Sequence, residues 1–166
     1  MPTGKITKIT GVALTITEVD ELPPELSNNK ALSQDEYSNW GEHTQPPEPT
    51  RGLRRWVVNH NGQPVGNLSG RSSAYGPTSG STAMNIGVEI KSDRRRQGFG
   101  SESQRLLAEL LHREGYVRVE ASTDVTNIAE QRALARAGFE FEGTLRQAQV
   151  RASGRHDLQV WSHINE

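Results

Sequence analysis

The chain has 166 residues and no cysteine. This absence excludes a disulfide framework, a thiolate metal site and a cysteine nucleophile. The chain has five histidines, and none of them shows a close spacing such as His-x-x-x-His: His43, His60, His112, His156 and His163. The sequence therefore predicts no metal site.

Long apolar runs are also missing. No stretch approaches the roughly 20 apolar residues of a membrane span, and no signal-peptide pattern opens the chain. The basic residues form no continuous stripe with interleaved aromatic residues, as a nucleic-acid-binding surface would. We therefore expect a cytoplasmic protein that binds neither membrane nor nucleic acid. Its length predicts a single domain over residues 1–166.

The net charge is −1, but the charges are unevenly distributed. Residues 1–50 contain three basic and eight acidic side chains, whereas residues 51–120 contain eleven basic and six acidic ones. The basic middle suits a ligand with several phosphates. The acidic first part could attract a cationic amine, and a solvated acidic loop surface explains it equally well.

Several patterns predict the local organisation of the chain. Alternation of apolar and polar residues predicts a strand from Val12 to Thr17, and a short helix is predicted around Ser33–Trp40. The dipeptide Asn61-Gly62 between two apolar runs predicts a β-hairpin. The Gly/Ser/Thr-rich segment Ser72–Thr82 predicts a mobile loop.

The most informative segment runs from Arg95 to Gly100 and follows a predicted strand, Met84–Ile90. A helix with apolar residues at helical spacing is predicted from near Ser101. Glycines at 98 and 100 leave room for a ligand to approach the backbone. The N–H groups of the first helical turn and the neighbouring arginines favour an anion there. The pattern predicts a pyrophosphate site built mainly from backbone.

Two common phosphate-binding motifs fit this segment poorly. A dinucleotide fold requires three glycines, and a Walker loop ends in Gly-Lys-Ser/Thr, which is absent here. The pattern Arg-x-x-Gly-x-Gly at 95–100 resembles instead the acyl-CoA-binding motif of the GNAT superfamily of N-acetyltransferases. A turn with two glycines before an ordinary helix is the structural alternative.

A second element downstream strengthens this resemblance. A predicted strand at Val117–Ala121 is followed by Asn127, a helix to Arg136, and then Gly138-Phe139 and Glu142-Gly143, in the order that GNAT proteins show. The final segment, 144–164, reads as two strands around Ser153-Gly154, similar to the C-terminal hairpin of the family. Within the superfamily, Ile86-Gly87, Glu142-Gly143 and His156-Asp157 resemble the ribosomal-protein-alanine N-acetyltransferase-like branch.

The resemblance implies an α/β fold, a single GNAT domain with a mixed central β-sheet of about six to seven strands flanked by helices. It implies that residues 84–143 form the acetyl-CoA-binding core and residues 1–50 the acceptor-side segment. Dimers are common in this family, so a homodimer is an open alternative to a monomer. Acetyl-CoA is the implied cosubstrate, without a metal, and the residues carried over to its site are Val88, Ile90, Arg95, Arg96, Gln97, Gly98, Phe99, Gly100, Ser101 and Asn127.

The general base is less clearly indicated. By alignment, the usual strand carboxylate of the family corresponds to Asn85, which cannot act as a base. Glu89 lies four residues further on, on the same face of the strand, and is the predicted catalytic base. If it is partly buried, its pKa would be raised toward neutrality. An exposed strand residue is an equal alternative for Glu89, and Asp124 and Asp157 are further candidates.

The general acid is missing from its usual place. The tyrosine that many GNAT proteins carry on the second helix corresponds to Leu134. The serine that the resembled branch often has corresponds to Glu130. Asn127 and Glu130 also match a helix capping box, so a structural role explains both residues.

Three functions remain open from the sequence. The first is acetyl transfer from acetyl-CoA to a primary amine of a small molecule. The second is acetylation of a protein or peptide N-terminus, and the third is a catalytically silent acyl-CoA-binding module. Trp40, Glu42 and His43 could line the acceptor site, although a surface loop anchored by one buried tryptophan is the alternative.

Overall fold

The computed structural model describes residues 8–10, 15–17 and 52–165. The chain divides into two compact units, Met1–Gly41 and Glu42–Glu166. In the first unit, β1 (Lys8–Thr10) pairs antiparallel with β2 (Thr15–Thr17). The predicted strand at 12–17 overlaps β2. The predicted helix at 33–40 and the candidate acceptor residues Trp40, Glu42 and His43 lie outside the described residues.

The second unit contains a six-stranded sheet in the order β3-β4-β5-β6-β8-β7. The neighbours β5 and β6 run parallel, and the other neighbouring pairs run antiparallel. This mixed sheet, with helices packed against it, confirms the predicted α/β fold class. The strands are β3 (Arg54–His60), β4 (Gln63–Ala74), β5 (Thr82–Ile90), β6 (Arg118–Asp124), β7 (Glu140–Arg151) and β8 (Gly154–Ile164).

Two helices lie in the described part of this unit. Helix α1 (Phe99–Arg113) follows β5, and helix α2 (Ile128–Arg136) follows β6. Short 3-10 turns at Ser79–Ser81 and Ser92–Arg94 precede β5 and α1. Helix α1 begins two residues before the predicted start near Ser101, whereas α2 ends at the predicted residue. Among the described residues, no helix combines the length and apolarity that a membrane crossing requires.

The hydrophobic core lies between the two helices and one face of the sheet, which we call the helix face. Side chains of a strand point alternately to opposite faces, so this face receives every second residue of β5 and β6. Burial of these side chains against the helices supplies the main driving force for folding. The buried cluster includes Met84, Ile86, Val119, Ala121, Leu107, Leu111, Leu134 and Phe139.

The β3–β4 hairpin turns at Asn61-Gly62 as the sequence predicts. Both residues have positive φ, 50° and 75°, which a two-residue hairpin turn of type I′ requires. The predicted loop at 72–82 is wrong at both ends, because β4 continues to Ala74 and Ala74 pairs with Thr82. Hydrogen bonding to β5 holds this serine-rich stretch as a strand despite its low intrinsic strand propensity.

The opposite face of the sheet, which we call the polar face, buries a charged group. Glu120 is only 2% exposed, and its carboxylate accepts hydrogen bonds from the Tyr75 hydroxyl at 2.9 Å and from the Arg118 guanidinium. Arg118 also donates to Glu142, which in turn accepts a hydrogen bond from Ser162 at 2.7 Å. The donors Arg118 and Ser162 lower the pKa of Glu142 to about 2. Arg118 therefore compensates two carboxylates at once.

Replacement of Arg118 by methionine should destabilise the fold. Arg118→Met keeps much of the apolar stem but leaves the buried Glu120 without its cationic partner, so we expect urea unfolding to show a loss of about 3 kcal/mol. The double variant Arg118→Met/Glu120→Gln should recover part of this loss, because it removes the uncompensated charge. A single variant as stable as the wild type would contradict the assignment.

Candidate active site

The site is organised by the separation of β5 and β6. These strands pair only at Met84–Val119, Asn85–Glu120 and Ile86–Ala121. Beyond these pairs, β5 continues along β4 to Ile90, and β6 continues along β8 to Asp124. Each strand is thus held by its outer neighbour while the two inner edges part. The gap leaves backbone groups of both strands available to a ligand.

A cavity of about 580 Å³ lies at this gap. Consecutive residues of β5 line it, and because consecutive strand residues point to opposite faces, the cavity reaches both sides of the sheet. Two molecules could therefore meet here from opposite faces. On the helix face the lining includes Ile86, Val88, Ala121, Thr123, Asn127 and Glu130, and on the polar face it includes Arg71, Ser73, Asn85, Ser122, Asp124, Gln149, Arg151 and Leu158.

The start of α1 is open toward solvent. Its N-cap residue is Gly98, with a φ of 84°, and no side chain caps the helix. A Cβ added at Gly98 would meet no atom within 4 Å, and one at Gly100 would meet only Ile90, at 3.9 Å. The N–H groups of the first turn have no partner within the helix, and no atom of the described residues crowds the two glycines beside them. This geometry fits the phosphates of a CoA molecule.

The other predicted phosphate-site residues surround this helix start. Arg95, Arg96 and Gln97 are exposed, and Arg95 Nε donates to the Ile90 carbonyl at 3.1 Å. Ser101 donates from its hydroxyl to the Gly98 carbonyl at 3.0 Å, and the Phe99 ring lies 4.8 Å from the ring of His60. Residues 95–101 are thus brought together in one loop and one helical turn. Val88 and Asn127 line the first cavity, while Ile90 and Arg95 line a second one of about 450 Å³.

The start of α2 differs from the predicted capping box. The Asn127 side chain accepts a hydrogen bond from the Glu130 N–H at 3.3 Å, as predicted, but the Asn127 N–H donates to the Asp124 carbonyl at 2.9 Å. Glu130 therefore makes no return bond to that N–H, and the residue lines the cavity instead. Burial raises the pKa of Glu130 to about 7, and a hydrogen bond from Gln104 opposes part of this rise.

A hydrophobic core residue, Leu134, stands at the position where many GNAT proteins have their general acid. Leu134 is completely buried in the cluster between the helices and the sheet. An aliphatic side chain there can neither donate a proton nor reach the cavity from within the core. The leucine at position 134 therefore leaves the site without a proton donor at this place.

The structure places Glu89 away from the main cavity. Glu89 shares a face with Asn85, as alternation predicts, but it is exposed and accepts a long hydrogen bond of 3.4 Å from Asn67 Nδ2. Of the two alternatives for Glu89, the structure has the exposed strand residue, because Glu89 stands near the end of β5 and lines the second cavity. Asp157 accepts a hydrogen bond from the backbone N–H of Gln147 at 2.7 Å, which is a structural contact at an irregular point of β7.

Asp124 forms a network that sequence reasoning missed. It is 2% exposed, and its Oδ1 accepts from the Thr126 N–H at 2.8 Å and from the Thr126 hydroxyl at 2.7 Å. Its Oδ2 lies 2.5 Å from His156 Nδ1, and His156 Nε2 lies 2.6 Å from the Ser153 hydroxyl. The Thr126 donors and His156 lower the pKa of Asp124 to about 2. Only the pairing of β6 with β8 brings these distant residues together.

Comparisons with known proteins identify the family. The family model "Acetyltransferase (GNAT) domain" matches residues 15–140. The chain belongs to this family of acetyltransferases. No curated protein matches the sequence. Among the described residues, no cluster of three or more potential metal-ligating side chains occurs.

Solved structures of relatives share the fold. One is a ribosomal-protein-alanine N-acetyltransferase from Brucella melitensis, with 25% identity, a TM-score of 0.59, and coverage of 69% of this chain and 70% of that chain. RimL, a ribosomal L7/L12 alpha-N-protein acetyltransferase in complex with CoA, has 25% identity, a TM-score of 0.59, and coverage of 68% and 62%. A probable GNAT acetyltransferase from Chromobacterium violaceum has 34% identity, a TM-score of 0.57, and coverage of 68% and 56%. The matches thus cover between 56% and 70% of these relatives' lengths.

Glu130 should make stability depend on pH. The folded state holds the Glu130 proton up to about pH 7, whereas an unfolded glutamic acid loses it near pH 4.5, so stability should fall as pH rises through this window. In thermal and urea unfolding, Glu130→Gln should be more stable than the wild type at pH 8 by about 2 kcal/mol and similar at pH 4. The exposed Glu140→Gln is the matched control, and an equal pH dependence in both variants would contradict the assignment.

Proposed function

We propose that this protein transfers the acetyl group of acetyl-CoA directly to a primary amine of a small molecule, with both substrates bound at once. The observation that carries the proposal is the cavity at the gap between β5 and β6, which reaches both faces of the sheet. The start of α1, which no described side chain caps, adds the site for the phosphates. Acetyl-CoA enters from the helix face, and the amine enters from the polar face.

The helix face supplies the binding groups for CoA. The first-turn N–H groups of α1 bind the pyrophosphate, with Gly98 and Gly100 leaving the approach clear and Arg95 and Arg96 adding positive charge. Asn127, across the gap, contacts the pantetheine arm. The complex of the relative RimL with CoA supports this cosubstrate.

The edge of β5 supplies the groups for the acyl transfer. A backbone N–H between Val88 and Ile90 donates to the thioester carbonyl oxygen and stabilises the negative charge that develops there. As the amine nitrogen forms its bond to the carbonyl carbon, the C–S bond breaks and CoA leaves as its thiolate. The nitrogen must also lose a proton, so the polar face has to supply a base.

The lining of the polar face favours a small polar acceptor. Arg71 and Arg151 carry positive charge at this end of the cavity, and Ser73, Asn85 and Gln149 offer neutral hydrogen-bonding groups. An amine that also carries a carboxylate or phosphate fits this set, because arginine pairs well with planar and tetrahedral anions.

A protein N-terminus is the second candidate acceptor. Two relatives with 25% identity are named for the acetylation of ribosomal proteins, and they cover about two thirds of this chain. A peptide would enter the same opening on the polar face, with its second residue near the cavity mouth. The chemistry of the transfer would be unchanged.

Gly100→Val should weaken acetyl-CoA binding. Among the described residues, a Cβ at position 100 meets only Ile90, at 3.9 Å, so we expect the variant to fold, with its side chain in the space where the pyrophosphate approaches. We expect the dissociation constant, measured by isothermal titration calorimetry, to rise at least tenfold, or about 1.4 kcal/mol. Gly80→Val places the same side chain in open space and should bind normally. Unchanged affinity in folded Gly100→Val would refute the phosphate site.

Thiol release with defined acceptors should separate the proposed functions. The panel contains free amino acids, aminoalkyl phosphates, simple alkylamines, and peptides that begin with Ala or Ser and vary at the second residue. We expect saturable thiol release with the free anionic amines, because Arg71 and Arg151 bind their acidic group. Activity confined to peptides, and dependent on their second residue, would favour the N-terminal acetyltransferase. Acetyl-CoA binding without thiol release from any acceptor would indicate the silent module.

A further inference from the structure

The hydrogen bond to Asp124 decides which ring nitrogen of His156 must carry a hydrogen. Asp124 has no proton to donate in its ionised form, so the contact at Oδ2 requires His156 Nδ1 to carry the hydrogen. In neutral His156, Nε2 then holds the lone pair and accepts the Ser153 hydroxyl proton at 2.6 Å. A carboxylate, an imidazole and a hydroxyl are thus aligned in the order that activates the hydroxyl as a proton carrier.

This network begins at the acceptor end of the cavity and continues along β8 beside residues that line it. Asp124 lines the cavity directly, and so does Gln149, the partner of His156 across the β7–β8 ladder. His156 and Leu158 share one face of β8 by alternation, and Leu158 also lines the cavity. Leu158 pairs with Asp124, two residues along β6 from Ser122 of the polar face. His156 therefore stands on the side of the sheet from which the amine enters, opposite α1 and α2.

We propose that His156 is the general base of the acetyl transfer, that the Ser153 hydroxyl relays the proton to it, and that Asp124 is the positioning residue that holds the imidazole. This assignment rests on the proposed function. As the amine attacks the thioester, Ser153 Oγ accepts a proton from the acceptor nitrogen while its own proton passes to His156 Nε2. The C–N bond forms, the C–S bond breaks, and the thiolate leaves on the helix face. His156 then returns its proton to water through Ser153.

The surroundings support a base rather than a purely structural histidine. The His156 side chain is 24% exposed, so protons can exchange with solvent, while Asp124 is buried and firmly held by Thr126. Among the described residues, two charged groups belong to the surroundings of His156: Asp124, from β6, and Arg151, from β7. Arg151 Nη1 lies 3.4 Å from Asp124 Oδ2. The buried carboxylate is partly compensated by Arg151 and remains available to stabilise an imidazolium.

The test is a pH–rate profile of six proteins with the best free amine from the acceptor panel. The proteins are the wild type, the control His112→Gln, and the variants His156→Gln, Asp124→Asn, Ser153→Ala and Glu89→Gln. His112 is a matched histidine at the far end of α1, bonded to the Tyr116 carbonyl and to His163. Folding is checked by circular dichroism, and binding by the acetyl-CoA dissociation constant, which a base does not determine.

We expect His156→Gln to lose at least 100-fold in kcat, with an unchanged acetyl-CoA dissociation constant, because general base catalysis typically contributes factors of this size. The fall in rate toward acidic pH that a histidine base causes should be absent from its profile. Asp124→Asn should lose at least tenfold, because an amide can bond either tautomer of the ring. Ser153→Ala should lose less than His156→Gln, since water can take the place of the hydroxyl.

The assignment is overturned if folded His156→Gln keeps the wild-type kcat and pH profile. It is also overturned if Glu89→Gln, and not His156→Gln, removes the acidic fall in rate, since the base would then be on β5. Wild-type protein that releases no thiol with any acceptor would refute the proposed function, and the base assignment with it. An active wild type beside an equally active His156→Gln refutes the base assignment alone.

Discussion

The short ladder between β5 and β6 is the constraint on which the rest of the structure depends. Three residue pairs join these parallel strands, whereas β5 pairs with β4, and β6 with β8, to their ends. The outer pairings keep both strands extended beyond the point where their inner edges part, so strand backbone borders the gap on both sides. Each of the two strands is followed by a helix: α2 presents Asn127 to this cavity, and α1 begins with first-turn N–H groups that its own N-cap, Gly98, leaves without a side-chain partner. The position of the site is therefore set by strand pairing, and the side chains determine what can bind there.

The two faces of the sheet divide the chemistry. The helix face is apolar beneath the helices and offers mainly backbone donors at the cavity, which suits a phosphate-bearing thioester. The polar face carries arginines, amides and a buried carboxylate. Two acidic residues at this one cavity are driven in opposite directions: burial raises the pKa of Glu130 to about 7, and hydrogen-bond donors lower the pKa of Asp124 to about 2. Such divergence of like groups is a common feature of sites that move protons.

What could be predicted from sequence was local. The strand, glycine loop and helix around Gly98, the cap at Asn127 and the turn at Asn61-Gly62 are set by nearby residues, and the structure contains each of them. The hydrogen bond between the Asp124 and His156 side chains depends on β6 and β8, which are neighbours only in the folded sheet. No spacing in the sequence encodes this contact. For Glu89, alternation gives the face correctly but cannot show how far along β5 the cavity extends.

The apolar residue at position 134 is consistent with the proton transfers that the reaction requires, because the thiolate needs an acid less than the amine needs a base. An ordinary thiol has a pKa of about 8.5, and an alkylammonium has one of about 10.4. At neutral pH the thiolate is therefore a tolerable leaving group without an acid, whereas the amine is almost entirely in the unreactive, protonated form. A site with leucine at position 134 lacks a donor for protonation of the thiolate, which is the less demanding of the two proton transfers. The demanding one falls on the polar face, and there the structure has a carboxylate, an imidazole and a hydroxyl in line.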